Sequence, residues 1–355
     1  MFANRLQKRF RHLKKWAHRA GIGAFRLYDR DIPEVPIVLD YYGNPLQPRE
    51  AALCGALYKR PYEKDADDEE QWLSVMKDSA SAALGIEPAC IFLKQRQKQK
   101  GNSQYEKIAE VRYEKIVGEG DLSFKVNLSD YLDTGLFPDR RLLRAVIRDE
   151  SAGKRVLNLF SYTGSFSVYA AAGGAISTDS VDLSNTYLSW ARENLSLNGF
   201  SAVLPNVSRA EEHRTQREKK CFTMELRTAR EGKGAHRLIR SDVSGFIDNA
   251  IAAKKLWDVI IIDPPAFSNS KKMNDYFDLN RDLTLLLLKC LTLLSADGKI
   301  FLSVNLRRCV INAAELEKQL TVHAENVRIT DLSGKIIDED FKGKRIPKAF
   351  LIQNQ

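Results

Sequence analysis

The run Trp257-Asp258-Val259-Ile260-Ile261-Ile262-Asp263-Pro264-Pro265-Ala266-Phe267 constrains the fold of this chain more than any other stretch. An unbroken β-branched apolar run marks a strand buried on both faces, as in the centre of a parallel sheet. It stops at a carboxylate and two prolines, which donate nothing to a sheet ladder and turn the backbone out of it. An acid, a rigid turn and an aromatic residue therefore stand at the carboxyl end of a central strand. That is the edge at which open α/β sheets bind ligands. Asp-Pro is also ordinary turn chemistry, so the stretch needs its neighbours to define a site.

From residue 154 onward those neighbours are regular. Strand patterns at 155–160, 177–183, 236–241 and 299–305 alternate with helical ones at 165–172, 186–197, 243–253, 276–294 and 313–323. Residues 327–331 and 349–353 read as a final strand pair. Such alternation predicts an α/β fold with a doubly wound, Rossmann-like parallel sheet. Residues 201–233 are highly charged, have no clear period and read as a surface insertion.

The chain before this region is organised differently. Leu6, Phe10, Leu13 and Ala17 recur at helical spacing over 4–20, with Arg5, Lys8, Arg9, Arg11, Lys14, Lys15 and Arg19 on the remaining face. Strand patterns at 25–29, 36–42, 90–94, 112–117 and 123–128 surround a helix at 68–84 that stops at Gly85; the reading of 48–62 stays open. The expected division is a basic N-terminal helix (1–24), a small α+β module (25–132) and the α/β domain (133–355).

Net charge supports a polyanionic partner. The 355 residues carry a formal charge of +9, and two segments concentrate it. One is the basic helix. The other is the loop Lys94-Gln95-Arg96-Gln97-Lys98-Gln99-Lys100, where cations alternate with amide side chains and no apolar residue can join a core. Lys94, Arg96, Lys98 and Lys100 are thus candidate RNA-phosphate ligands, against the alternative of a solvated hairpin. The five cysteines, Cys54, Cys90, Cys221, Cys290 and Cys309, form no CxxC pair, so neither a metal site nor a disulfide framework is expected. Reduced thiols, no bilayer-length apolar run and no signal-peptide core point to the cytoplasm and away from membranes.

Four successive strand ends carry the candidate chemistry. The first reads Asn158-Leu159-Phe160-Ser161-Tyr162-Thr163-Gly164-Ser165, a glycine turn before a helix whose free N–H groups suit a carboxylate or phosphate. It is not GxGxxG, which disfavours a dinucleotide. The second ends at Asp182, where doubly wound folds hold ribose hydroxyls. The third ends at Asp242, placed to accept from an exocyclic amine, and the fourth at Asp263. Each acid alone reads more simply as a turn or helix cap. Together with the glycine turn they fit an adenosine bearing an amino-acid tail, which is S-adenosylmethionine.

These residues resemble those of the RlmK-type 23S ribosomal RNA guanine-N7 methyltransferases, which often form the C-terminal half of a bifunctional RlmKL protein. The resemblance runs from Met1 to the end apart from the insertion. Gln97-Lys98-Gln99-Lys100-Gly101, Asn127-Leu128-Ser129-Asp130-Tyr131-Leu132-Asp133-Thr134-Gly135-Leu136-Phe137, Asn158 to Ser165 and Asp263-Pro264-Pro265 carry it, with Phe267-Ser268-Asn269-Ser270-Lys271 the most specific. It implies a class I methyltransferase sheet preceded by a small α+β domain, with S-adenosylmethionine as cofactor. It implies 23S rRNA or a ribosomal assembly intermediate as partner, and a second methyltransferase domain in fused relatives. The start at Met1 fits a free-standing chain. Cofactor contacts are expected at Phe137, Asn158, Phe160, Ser161, Tyr162, Thr163, Gly164, Asp182, Asp242 and Asp263. Phe137 enters because the segment 133–141 looks like pocket wall in the wider family; otherwise that segment is a packed linker with Arg140 and Arg141 exposed.

Target chemistry follows from what the fifth strand end lacks. Cytosine-C5 methylation needs a cysteine nucleophile, which RlmI-like enzymes present there. Ser303-Val304-Asn305-Leu306-Arg307-Arg308 has none, and Cys309 lies further on. Guanine N7 has an in-plane lone pair and no proton to remove, so alignment alone can serve it. Asp263, Pro264, Pro265, Phe267 and Asn305 are the expected catalytic set: Phe267 stacks on a flipped guanine, Asn305 meets its edge, and Arg307 and Arg308 bind flanking phosphates. RlmK-like chains read Asn-Asn-Lys-Arg-Gly at this strand end, a departure that weakens the Asn305 assignment. The alternatives are cytosine-C5 methylation through Cys309 and a non-catalytic RNA-binding assembly factor.

Overall fold

The computed structural model describes residues 1–58, 65–95, 112–203, 235–265, 267–268, 277–305, 311–322, 324, 326–344 and 346–354. They divide into two units. The first comprises Met1–Arg141 and a return segment, Ile337–Arg345; the second comprises Leu142–Ser268, Met273–Ile336 and Ile346–Gln355.

The first unit is built around aromatic residues. Helix α1 (Phe2–Arg19) buries Phe2, Leu6, Phe10, Leu13 and Ala17, the stripe expected from its period. That stripe shares one core with the sheet of β1 (Ala24–Asp29), β2 (Ile37–Tyr42), β3 (Ala52–Leu57) and β4 (Ile91–Gln95). Phe10 lies 5.2 Å from the Tyr41 ring and Phe25 stacks on it at 4.8 Å. β1, β2 and β3 run antiparallel, and β4 returns parallel to β3 after helix α2 (Ala66–Leu84). Asp65 caps α2 by accepting from Asp67 N, and Gly85, at φ +69, ends it. β3 lies within the stretch whose sequence reading was open. β5 (Glu114–Glu119) and β6 (Leu122–Asn127) form a separate hairpin.

Two sequence expectations for this unit are corrected. Arg140 and Arg141 are buried, at 7% and 5% exposure. Arg141 donates to Ala24 O (2.6 Å) and Asp338 (2.6 Å), lies 3.3 Å from Glu119 and 3.1 Å from Asp340, and faces the Trp16 ring at 5.5 Å. Arg26 extends the cluster to Asp40, Asp29 and, through its backbone N, Asp340. The return segment is thus tied into the first unit by buried charge. Lys94 is also buried, its ammonium donating to Tyr131 O, which removes it from the basic loop.

The second unit opens with α3 (Arg141–Asp149), whose Leu143 and Ile147 pack on one face of the main sheet. Its nine residues lie against the expected linker, where the sequence reading placed no helix. There follow β7 (Arg155–Leu159), α4 (Ser165–Ala172), β8 (Ser177–Asp182), α5 (Asn185–Leu197), β9 (Ala202–Val203), β10 (Ala235–Arg240), α6 (Val243–Ala252) and β11 (Trp257–Ile262). A short ribbon pairs β12 (Phe267–Ser268) with β13 (Phe277–Asp278) before α7 (Leu279–Leu291), β14 (Leu294–Val304), α8 (Ala313–Thr321), β15 (Val327–Asp331) and β16 (Lys348–Asn354). The expected helix over 276–294 is shorter, and Asp297-Gly298 sits in a register irregularity of β14 instead of ending a helix. Except for β9, the expected insertion lies outside the described residues.

The strand order is β15-β16-β14-β11-β7-β8-β10-β9. β14 through β9 are parallel, while β16 and β15 close one edge antiparallel. From β7 the chain winds outward through β8 and β10; from β11 it winds the other way. The reversal point between β7 and β11 is where such sheets open a ligand crevice. Core residues of α6, α7 and α8 cover one face and those of α3 and α4 the other.

Candidate cofactor-binding and active site

The crevice begins where β7 ends. Phe160, Tyr162 and Gly164 have φ +56, +49 and +73, so three alternate residues of this loop are left-handed. Two of them are bulky, and such backbone costs about 1–3 kcal/mol per residue unless its surroundings enforce it. The enforcement is visible. Ser161 N donates to Val181 O (2.9 Å), Gly164 N to Ser161 O (2.8 Å), and Tyr162 N to Asp182 (2.9 Å). Asn194, fully buried on α5, donates from Nδ2 to Thr163 O at 2.9 Å. A Cβ on Gly164 would come within 2.7 Å of the Ala191 Cβ, so α5 presses directly on the turn.

Asp182 links the first two strand ends. Its two oxygens accept from Tyr162 N and Ser184 N, each at 2.9 Å. Burial nevertheless pushes its carboxyl up to about 6. This half-buried carboxylate accepts two backbone donors and is open to further ones. Tyr187 stands beside it on α5, its ring 4.4 Å from that of Tyr162, edge to face. Asp242 caps α6, accepting from Gly245 N at 2.8 Å.

At the reversal point, Leu159 pairs with Ile262, and Ile262 with Leu302. The next residues are Phe160 and Asp263, which directly follow β7 and β11, and Ser303, which lies within β14. Pro264 is buried, Asp263 and Pro265 are half-buried, and Asn305 is exposed after β14. β12 places the Phe267 backbone opposite Asp278. Asn158 lies deeper: its amide donates to Ser167 Oγ (2.9 Å), which meets Ser180 Oγ at 2.7 Å. Phe137 belongs to the first unit, under the Arg140 guanidinium at 5.0 Å. Arg96, Lys98, Lys100, Arg307 and Arg308 lie outside the described residues.

Three residues were not assigned to the site from the sequence, Tyr187 among them although Thr186-Tyr187-Leu188 is one of the segments that carry the resemblance. Asn194 and Tyr187 reach the loop from a helix about 25–30 residues further along the chain, a separation no local pattern encodes. The Ser303 hydroxyl is buried without a hydrogen-bond partner among the described residues. Its one signal was a polar residue interrupting the apolar run of β14.

The loop fits an amino-acid-bearing nucleoside. Ser161 Oγ is buried with no partner among the described residues, and no described side chain caps the α4 N-terminus, so acceptor and donor groups stand open there. Sheet order, reversal point, glycine turn and paired acid define an S-adenosylmethionine-dependent methyltransferase. A family model of that description matches residues 50–213. Structures of this fold include SMU.776 complexed with SAH, at TM-score 0.67 and 24% identity over 99% of this chain and 80% of that one. The SAM-dependent methyltransferase from Agrobacterium tumefaciens gives TM-score 0.54 and 18% identity over 90% and 87%.

Sequence relatives narrow the class. The chain is 39% identical to ribosomal RNA large subunit methyltransferase K of Neisseria meningitidis over 100% of its own length and 87% of that protein. It is 39% identical to methyltransferase K/L of Stutzerimonas stutzeri over 99% of this chain and 42% of that longer protein. The chain belongs to the ribosomal RNA large subunit methyltransferase K family.

Proposed function

We propose that this protein methylates guanine N7 of 23S rRNA, in the cytoplasm, on naked rRNA or an assembly intermediate. The observation that carries the reading is an acid-proline-proline turn at the reversal point, beside a strand whose described end, Ser303-Val304-Asn305, holds no thiol. Among the described cysteines, burial pushes the Cys54 thiol up to about 11 and Cys290 up to about 12, so neither is a thiolate nucleophile at neutral pH. Methyl transfer without a covalent nucleophile needs a base that is reactive already, and guanine N7 is.

S-adenosylmethionine supplies a methyl group made electrophilic by the sulfonium. The chain's own residues bind and align. Ser161, Tyr162, Thr163 and Gly164 with the α4 N-terminus hold the amino-acid end, Asp182 accepts the ribose hydroxyls, and Asp242 faces the adenine amine. Phe160 and Asp263 border the reacting centre. The Asp263-Pro264-Pro265 turn fixes the wall, Phe267 stacks on the flipped guanine, Asn305 meets its edge, and Arg307 and Arg308 grip flanking phosphates. No proton leaves N7, so no general base is assigned.

Mapping modified nucleotides in 23S rRNA from cells with and without the gene tests this reading. One N7-methylguanosine should disappear with the gene and return with it. Loss of a 5-methylcytidine instead, abolished in a Cys309→Ala protein, would overturn it.

A further inference from the structure

Helix α1 carries seven lysines and arginines, two histidines and no acid. The structure sorts these cations into two sets. Arg5 pairs with Asp31 at 2.9 Å, His12 meets Glu339 at 2.9 Å, and Arg9 donates to the carbonyls of Glu339 and Asp340 at 3.4 and 3.0 Å. These three fasten the helix to the rest of the first unit. Lys8, Arg11, Lys14, Lys15 and Arg19 have no ion-pair or hydrogen-bond partner among the described residues.

Four of that second set, Lys8, Arg11, Lys15 and Arg19, are exposed. They fall at i, i+3, i+7 and i+11, one above another along a single stripe about 16 Å long at 1.5 Å per residue. Each successive pair is a like-charge neighbour, which disfavours the helix. A helix that needed only solubility would interleave acids here. This one is held by its buried apolar stripe and presents an uncompensated row of positive charge outward.

We propose that this stripe is a docking rail for the RNA phosphate backbone, engaging at least three phosphates. The inference rests on the reading of an RNA substrate and adds to it a binding surface on the first unit. An anionic membrane is disfavoured. A helix lying on lipid must bury its apolar face there, whereas Leu6, Leu13 and Ala17 are already at 0% exposure in the protein core.

The test compares the triple variant Lys8→Gln/Arg11→Gln/Lys15→Gln with wild type. The probe is an unmethylated 23S rRNA transcript, bound in a filter assay across a KCl series, with calorimetric binding of S-adenosylmethionine in parallel. Each contacted phosphate contributes roughly 0.7–0.9 to the slope of log affinity against log salt. The triple variant should therefore lose about 2–3 from that slope and bind on the order of 10- to 100-fold more weakly, with unchanged cofactor affinity. Single Lys15→Gln should lose about 1. Arg5→Gln/Arg9→Gln should lower the melting temperature and leave the slope intact. A triple variant with wild-type RNA affinity and slope overturns the rail while leaving the proposed function standing. A wild-type protein that binds cofactor but no RNA removes the proposed function, and the rail with it. Vesicles containing phosphatidylserine that bind wild type and not the triple variant, with RNA binding equal in both, would assign the stripe to lipid and overturn the proposal.

Discussion

Asp182 is the residue whose chemistry is most exposed to test. With its carboxyl raised by burial to about 6, it loses its charge in a mildly acidic range where ordinary carboxylates stay ionised. Ribose hydroxyls donating to it favour the ionised form. Cofactor affinity measured by calorimetry should therefore fall as pH drops through about 6; a dissociation constant that is flat from pH 7.5 to 5.5 would remove Asp182 from the ribose site. The stability term has the opposite sign. The folded value lies above the ordinary carboxylate value of 3.8, so this group favours folding increasingly as pH falls from about 6 toward 3.8. Gly164 gives a second prediction. Gly164→Ala demands a left-handed alanine and a Cβ 2.7 Å from that of Ala191. It should cost about 2–4 kcal/mol in chemical denaturation and weaken cofactor binding at least tenfold. The sequence already marked both positions, because a glycine turn and an acid after a strand are local features.

At the scale of elements, the β7–α4 loop is an instrument held from outside. Its left-handed residues are fixed by β8 through Val181 and by α5 through Asn194 and Ala191. Asn194→Ala leaves the Thr163 carbonyl buried without its donor, a loss of about 1–3 kcal/mol. Because the loop then relaxes, cofactor Kd should rise more than the stability change alone implies. Titrating the variant well below its melting temperature separates the two, and an unchanged Kd would make Asn194 merely structural. Lys94 shows the converse of legibility. In sequence it opens a basic loop; in the fold its strand turns it inward to Tyr131, a direction set by sheet register and invisible in composition.

At the scale of the molecule, the chain does not divide once and stay divided. Ile337–Arg345 returns to the first unit, where Asp338 and Asp340 meet Arg141 and the Arg26 backbone N meets Asp340. Removing one member of such a cluster strands the others. Arg141→Met should destabilise the protein by about 3–5 kcal/mol at pH 7, measured by denaturant unfolding. Burial already raises the Asp340 carboxyl, with Arg141 as the chief counterweight. Without the arginine the acids bind protons more readily in the folded state, so the deficit should narrow as pH is lowered toward 5. A deficit that widens instead would mean the acids keep other cationic partners.

Local chemistry determined much of this protein from the sequence alone. The parallel sheet followed from an apolar run ended by Asp263-Pro264-Pro265, the buried face of α1 from its period, and the tight β7–α4 turn from a glycine before a helix. Each depends on residues a few positions apart, where covalent geometry and hydrogen-bond rules act directly. The tertiary structure alone decided which charges are buried, which are paired and which stand free. It put Arg141 among acids from Glu119 to Asp340, turned Lys94 inward, brought Asn194 to Thr163, and left Lys8, Arg11, Lys15 and Arg19 in one row, unpaired among the described residues. Those outcomes depend on partners up to 331 residues apart, as between Arg9 and Asp340, and only packing of the whole chain brings such partners together.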